Sequence, residues 1–211
     1  MRHFVPPVRP LDRGFLFDVM RRDVAGGRLS QARVAGPQAI LDRWRARHAR
    51  ADPRWLAYLL ATAWHETART MQPIHEFGSA AYFNLRYSPP PAGRSAALAA
   101  GLGNVEQDDG DRFHGRGFVQ LTGRRNYADW SARLGLDLIA EPDRCLEPAI
   151  AARILIEGAV LGTFTGRRLG DYLGSGREDW TGARRVINGL DRAAAIADLA
   201  RRFHGGLRPG R

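Results

Sequence analysis

The chain has 211 residues, of which 44% are hydrophobic and 26% are charged. These fractions are ordinary for a folded protein and exclude a disordered or fibrous chain. All 32 basic residues are arginine, so no Walker-type phosphate loop, Schiff-base lysine or Ser-Lys dyad can operate. The net charge of +10 favours an anionic partner, such as nucleic acid, an acidic membrane or a charged wall polymer.

Targeting signals and disulfides are not predicted. The first ten residues hold no apolar run long enough for a signal peptide, and no stretch approaches the roughly 18 apolar residues of a membrane span. We therefore expect synthesis in the cytoplasm and no stable membrane insertion, with another agent releasing the protein if it acts outside. Cys145 is the single cysteine, which excludes an intramolecular disulfide and suggests a half-buried structural thiol.

Two helices are predicted in the first third of the chain. The first covers 29–50, with Ser30 as N-cap, and the Gly36-Pro37 pair can split it. The second follows Asp52-Pro53, an N-cap and first-turn proline, and its apolar run through 55–70 indicates burial on most sides.

The rest of the chain is predicted to be mainly helical around a small β element. A long irregular loop is expected over 76–112, a short strand over 117–122, and helices over 126–134, 147–161 and 191–203. No repeat or domain boundary is visible. We predict a single domain over 1–211, with 1–50 as a helical N-terminal extension packed on it.

Glu66 is a candidate catalytic acid because of its place on the second helix. It shares a face with Thr62, Leu59 and Trp55, and a carboxyl at the end of an apolar stripe favours its protonated form. A buried glutamate paired with an arginine fits the pattern equally well. A zinc site is not expected, since Arg69 stands where the second histidine of a zinc-protease helix would be.

Glu76 is a candidate partner for Glu66. Ten residues of straight helix would separate the two by about 15 Å, but a break at Pro73 allows the roughly 6.5–9.5 Å that fits a water between two carboxylates. Alone, Glu76 would more often be a solvated loop residue. Gln120 and Thr122 are predicted to alternate onto one strand face, a plain β-turn being the alternative.

Three blocks of sequence resemble glycoside hydrolase family 19, and the phage and prophage endolysins of that family most closely. They are 63–78, 113–127 and 183–190, of which the middle one carries the most specific pattern, aromatic-Gly-Arg-Gly-x-x-Gln-Leu-Ser/Thr. The resemblance implies a mainly α, lysozyme-like fold with a small β element. It also implies an inverting mechanism that needs no metal or other cofactor.

The resemblance implies specific roles for these residues. Glu66 would be the general acid, Glu76 would activate or orient the attacking water, and Thr122 would help to hold it. The candidate substrate-binding residues are Gln120, Asn126, Tyr127, Asn188 and His65. Arg116 and Arg185 would support the site by pairing with buried acids.

Three functions remain open on the sequence. The first is a monomeric endolysin that cleaves β-1,4 bonds of peptidoglycan in the cell wall after release. The second is a chitinase acting on N-acetylglucosamine oligomers. The third, a non-enzymatic arginine-rich protein that binds nucleic acid, rests on charge alone because no recognised reading motif occurs.

The last predicted helix, over 191–203, has two alternative interpretations. Together with Arg208 and Arg211 it could contact an anionic outer membrane transiently. In the favoured alternative, Ile196, Leu199 and Phe203 instead pack into the core, as their helical spacing suggests.

Overall fold

A computed structural model describes residues 9–174 and 176–210. Residues 1–8, on which most of the signal-peptide prediction rests, lie outside these ranges. Arg211, which is part of the membrane-contact prediction, also lies outside them. The α-helices are α1 (Arg13–Val19), α2 (Gln31–Arg47), α3 (Pro53–Glu66), α4 (Ala80–Tyr87), α5 (Ala96–Leu102), α6 (Asp109–Arg112), α7 (Arg124–Leu134), α8 (Pro148–Leu161) and α9 (Ala193–Gly205). The strands are β1 (Ile74–His75), β2 (Arg116–Gly117), β3 (Leu173–Gly174) and β4 (Arg177–Glu178).

The mainly helical prediction is confirmed. Strands β1 and β2 pair antiparallel, as do β3 and β4, and short 3-10 helices cover Pro142–Leu146, Leu169–Asp171 and Gly182–Val186. No helix in the described ranges is long and apolar enough to cross a membrane.

Helix α3 runs through the centre of the larger hydrophobic core. Asp52 caps it by accepting a hydrogen bond from the Arg54 amide, and every residue from Leu56 to Trp64 is buried, as its apolar run predicted. Helices α2, α8 and α9 pack around it. On α9, Ile196 and Phe203 are buried and Leu199 packs against the same core, so the core-packing alternative for this helix is confirmed.

A second core lies beside the β1–β2 pair. It contains Phe113, Tyr127, Trp130 and Cys145, and the cysteine is fully buried rather than half-buried as predicted. Burial raises the pKa of the Cys145 thiol to about 12, so the thiol stays protonated and inert.

Two predictions about the middle of the chain are wrong. The stretch 76–112 is not irregular, because Ser79 and Ser95 cap α4 and α5 through their hydroxyls. The segment 117–122 is not a strand but the turn of a hairpin, in which the Arg116 and Leu121 backbones pair. The split that Gly36-Pro37 allowed in the first predicted helix does not occur, since α2 runs through both residues.

The described part of the first fifty residues supports the chain after α3. A Cβ atom placed on Gly36 of α2 would lie 1.7 Å from the carbonyl oxygen of Met71. The Gln72 side-chain amide also donates a hydrogen bond to the Ala32 carbonyl of α2. Helix α2 therefore fixes the connection between α3 and β1.

We predict that Gly36→Ala lowers the free energy of unfolding by about 3 kcal/mol, because backbone must move to admit the methyl group. Gly101→Ala is the matched control, since nothing lies within 4 Å of its added Cβ in α5. Helix propensity makes that change neutral or stabilising by up to about 1 kcal/mol. Urea unfolding of both variants measures the difference, and equal stabilities would contradict the packing of α2 on Met71.

Candidate active site

Glu66 is the last residue of α3, and its carboxylate is paired with a buried guanidinium. Its Oε1 accepts a hydrogen bond of 2.7 Å from Nη1 of Arg184, whose side chain is 3% exposed against 19% for Glu66. Arg184 belongs to the 3-10 helix Gly182–Val186, and its Nε donates to the Asp191 carbonyl. In the described part of the chain no donor reaches Oε2 of Glu66, so this oxygen is left for a ligand.

The surroundings of Glu66 therefore match the arginine-paired alternative and not a purely apolar pocket. On the same helix face Thr62 and Leu59 are buried, and Trp55 donates its indole N–H to the Leu173 carbonyl. The carboxylate lies at the end of this stripe, where the helix meets Arg184. A buried ion pair with a further hydrogen bond holds the side chain in one orientation.

The chain reverses between Glu66 and Glu76 in a turn built around Thr67. The Thr67 hydroxyl donates to the Ala63 carbonyl and accepts from the Met71 amide. Ala68, Arg69 and Met71 have left-handed φ values of 49°, 67° and 56°. Such residues cost energy and persist only where the surrounding structure enforces them. The helix ends at Glu66, seven residues before Pro73, which the sequence had suggested as its terminator.

Glu76 directly follows β1 and is held at both carboxylate oxygens. Oε1 accepts a 2.7 Å hydrogen bond from the Tyr87 hydroxyl, and Oε2 accepts one of 3.1 Å from the Gly115 amide. Its own amide donates to the Gly115 carbonyl. A carboxylate has about four acceptor positions, so Glu76 can still accept a hydrogen bond from a water.

The β2 hairpin brings Gln120 close to Glu76 and carries Thr122 two residues further along. A Cβ on Gly115 would lie 2.9 Å from Oε1 of Gln120 and 3.2 Å from Oε2 of Glu76, so the glycine permits this close approach. The Gln120 amide donates to the Ile74 and Gly117 carbonyls, which ties the hairpin to β1. The Thr122 hydroxyl donates to the Gln120 carbonyl, leaving its lone pairs available as acceptors.

The other predicted substrate-binding residues fall in different places. Asn126 is half-buried on the first turn of α7 and donates to the Thr122 carbonyl. Asn188 is exposed after the 3-10 helix that carries Arg184. His65 is half-buried beside Glu66 and lines a groove on one side of it. Burial lowers the pKa of His65, which favours the neutral imidazole.

Tyr127 cannot bind a sugar, contrary to the prediction. It is fully buried, and its hydroxyl accepts from Arg116 and donates to the His114 carbonyl. Tyr127 shares the buried face of α7 with Trp130, three residues further along the helix.

The prediction that Arg116 and Arg185 pair with buried acids does not match the structure. Arg116 is buried, but its acid partner Asp143 is largely exposed, and its remaining bonds go to carbonyl groups and Tyr127. Arg185 is exposed and pairs with no acid in the described ranges. The sequence missed both Arg184 and Tyr87. The adjacent arginines at 184 and 185 indicated that one of them could pair with an acid. Which of the two faces inward depends on the 3-10 helix that contains them.

Tyr87 is well placed to orient Glu76. Burial and the hydrogen bond to Glu76 raise the pKa of the Tyr87 hydroxyl, so it remains a donor at neutral pH. The guanidinium of Arg86 lies 5.2 Å from the centre of the Tyr87 ring. No group of three or more possible metal ligands occurs among the described residues.

Known proteins similar to this chain are found among solved structures, and they share its fold. No protein-family model and no curated protein matches the chain. Among solved structures, chitinase C from Streptomyces griseus HUT6037 aligns with 99% of this chain and 81% of its own, at 15% identity and a TM-score of 0.54. The chain has the fold of family 19 chitinases.

Two further structures give the same result. A chitinase C variant with a glutamate replaced by glutamine aligns with 82% of this chain and 86% of its own, at 18% identity and a TM-score of 0.51. A bacterial family 19 chitinase aligns with 94% of this chain and 96% of its own, at 19% identity and a TM-score of 0.51. The fold implied by the sequence resemblance is thereby confirmed.

We predict that Tyr87→Phe reduces the turnover of glycan hydrolysis, the reaction that the sequence resemblance implies, about tenfold and changes KM little. A hydrogen bond to a charged group contributes about 1.5–3 kcal/mol. A tenfold loss of rate corresponds to an increase of about 1.4 kcal/mol in the activation free energy, which is just below this range. Tyr82→Phe, on the exposed side of α4, is the matched control. Initial rates of new reducing ends measure both variants. Equal losses in the two would contradict a specific role for Tyr87.

Proposed function

We propose that this protein is a glycoside hydrolase that cleaves β-1,4 bonds of bacterial peptidoglycan by an inverting, two-carboxylate mechanism. The observation that carries the proposal is the pair Glu66 and Glu76, each fixed by dedicated partners on either side of one chain reversal. The fold of family 19 chitinases supports the same reaction class. The net charge of +10 suits an anionic wall polymer.

In the proposed reaction Glu66 is the general acid. Oε1 stays with Arg184, and Oε2 carries the proton that passes to the glycosidic oxygen as the bond to the sugar breaks. Glu76 takes a proton from a water, whose oxygen forms the new bond to the anomeric carbon from the opposite side. Thr122 accepts a hydrogen bond from that water. The product has the inverted anomeric configuration.

The proposal also covers the state and location of the protein. The protein acts as a monomer in the cell wall after its release from the cytoplasm, and the reaction requires no metal or cofactor. Gln120, Asn126, Asn188 and His65 remain candidates for lining the substrate path. Arg208 lies outside this path, pairing with Asp12 and stacking on Phe15.

A chitinase is the second candidate function. It is favoured by the structural neighbours, which are chitinases, and it would use the same two carboxylates. The substrate alone distinguishes it, because chitin is a neutral polymer and peptidoglycan carries carboxylates on its peptides. Mass spectrometry of digests of sacculi and of chitin oligomers identifies which bond is cut and which sugar holds the new reducing end.

We predict that Glu66→Gln abolishes clearing of purified sacculi, with a rate loss of at least about 100-fold, because an amide cannot donate the proton. The amide oxygen can still accept from Arg184, so the fold should be retained, as checked by circular dichroism. Glu141→Gln, at an exposed glutamate, is the matched control and should keep the wild-type rate. Equal clearing by Glu66→Gln and wild type would refute the mechanism.

A further inference from the structure

A groove at the C-terminal end of α3 carries arginine side chains that are unpaired within the described chain. His65 and Arg69, on either side of Glu66 in sequence, line it together with Arg192 at the start of α9. Trp64 and Ile196 form part of its apolar floor. We call this feature the basic groove. It contains none of the groups that hold Glu76.

The acids in the basic groove are already paired. Asp198 forms an ion pair of 2.9 Å with Arg202, and Asp23 forms one of 2.7 Å with Arg22. Arg69 and Arg192 are exposed and have no acidic partner within the described ranges. Two guanidinium groups that line the basic groove are therefore available to an anionic ligand.

The backbone holds both arginines in an uncommon conformation. Arg69 has φ 67° and Arg192 has φ 57°, in the left-handed region that favours glycine. Non-glycine residues in this region are strained and concentrate at functional sites. The side chains leave from the turn after α3 and from the cap of α9, which are fixed relative to Glu66 by the packing of these two helices.

We propose that the basic groove binds the carboxylates of the peptide that a peptidoglycan strand carries on alternate sugars, and that Arg69 and Arg192 set the preference for this substrate. This proposal rests on the proposed function, because it requires a glycan strand at Glu66. Guanidinium groups pair with carboxylates in a bidentate geometry that a neutral polymer cannot use. The apolar floor accommodates the aliphatic parts of the peptide.

The test compares wild type with Arg69→Gln/Arg192→Gln. Its first readout is the affinity for a soluble disaccharide-peptide from sacculi, measured by calorimetry, with an N-acetylglucosamine oligomer as the neutral probe. The double variant should bind the disaccharide-peptide at least about tenfold more weakly, the loss of one charged contact of about 1.4 kcal/mol. Its affinity for the neutral oligomer should be unchanged. Arg47→Gln/Arg133→Gln removes two exposed charges elsewhere and should behave as wild type.

The second readout is the rate of cleavage, which separates this proposal from the proposed function. The groove variant should lose rate on sacculi and keep the wild-type rate on any neutral oligomer that the wild type cleaves. If wild type cleaves neither substrate, the proposed function fails, and the binding comparison alone decides the role of the groove. Equal affinity of wild type and groove variant for the disaccharide-peptide, or equal losses with both probes, would overturn the proposal.

Discussion

The contact between Gly36 and the Met71 carbonyl is the constraint on which the site depends. It holds the turn after α3 against α2, and this turn determines where β1 begins and therefore where Glu76 lies relative to Glu66. Thr67 closes the turn from within through its two hydrogen bonds. The described part of the first fifty residues is therefore a support for the geometry of the candidate site, since α2 belongs to the same core as α3.

The electrostatics of the two carboxylates differ in a way that suits two roles. Glu66 has one charged partner, Arg184, and one oxygen without a donor in the described chain. Glu76 has neutral donors at both oxygens, from Tyr87 and Gly115. An anchored acid with one open oxygen fits directed proton donation, whereas a carboxylate held by neutral donors fits the orientation of a water. Different surroundings are how paired carboxylates acquire different tasks.

Local sequence signals, such as helix caps and apolar runs, were sufficient to predict α3. Asp52-Pro53 fixed the start of α3, and its apolar run indicated the central position of that helix. Signals that depend on tertiary contact were not sufficient. The partner of Glu66 is Arg184 and not Arg185, because a 3-10 turn sets which arginine faces α3. Tyr127 is buried because it lies on the same face of α7 as Trp130. Tyr87 reaches Glu76 only through the packing of α4, which the sequence did not predict as a helix.

The stereochemistry of the first product tests the central claim most directly. Proton NMR of a digest of soluble peptidoglycan strands, recorded within minutes and before mutarotation, identifies the anomer released at the cleaved bond. If Glu76 activates a water opposite Glu66, the β-linked substrate gives the α-anomer first. Initial release of the β-anomer would show retention through a covalent or substrate-assisted intermediate, and would contradict the assigned roles of both carboxylates.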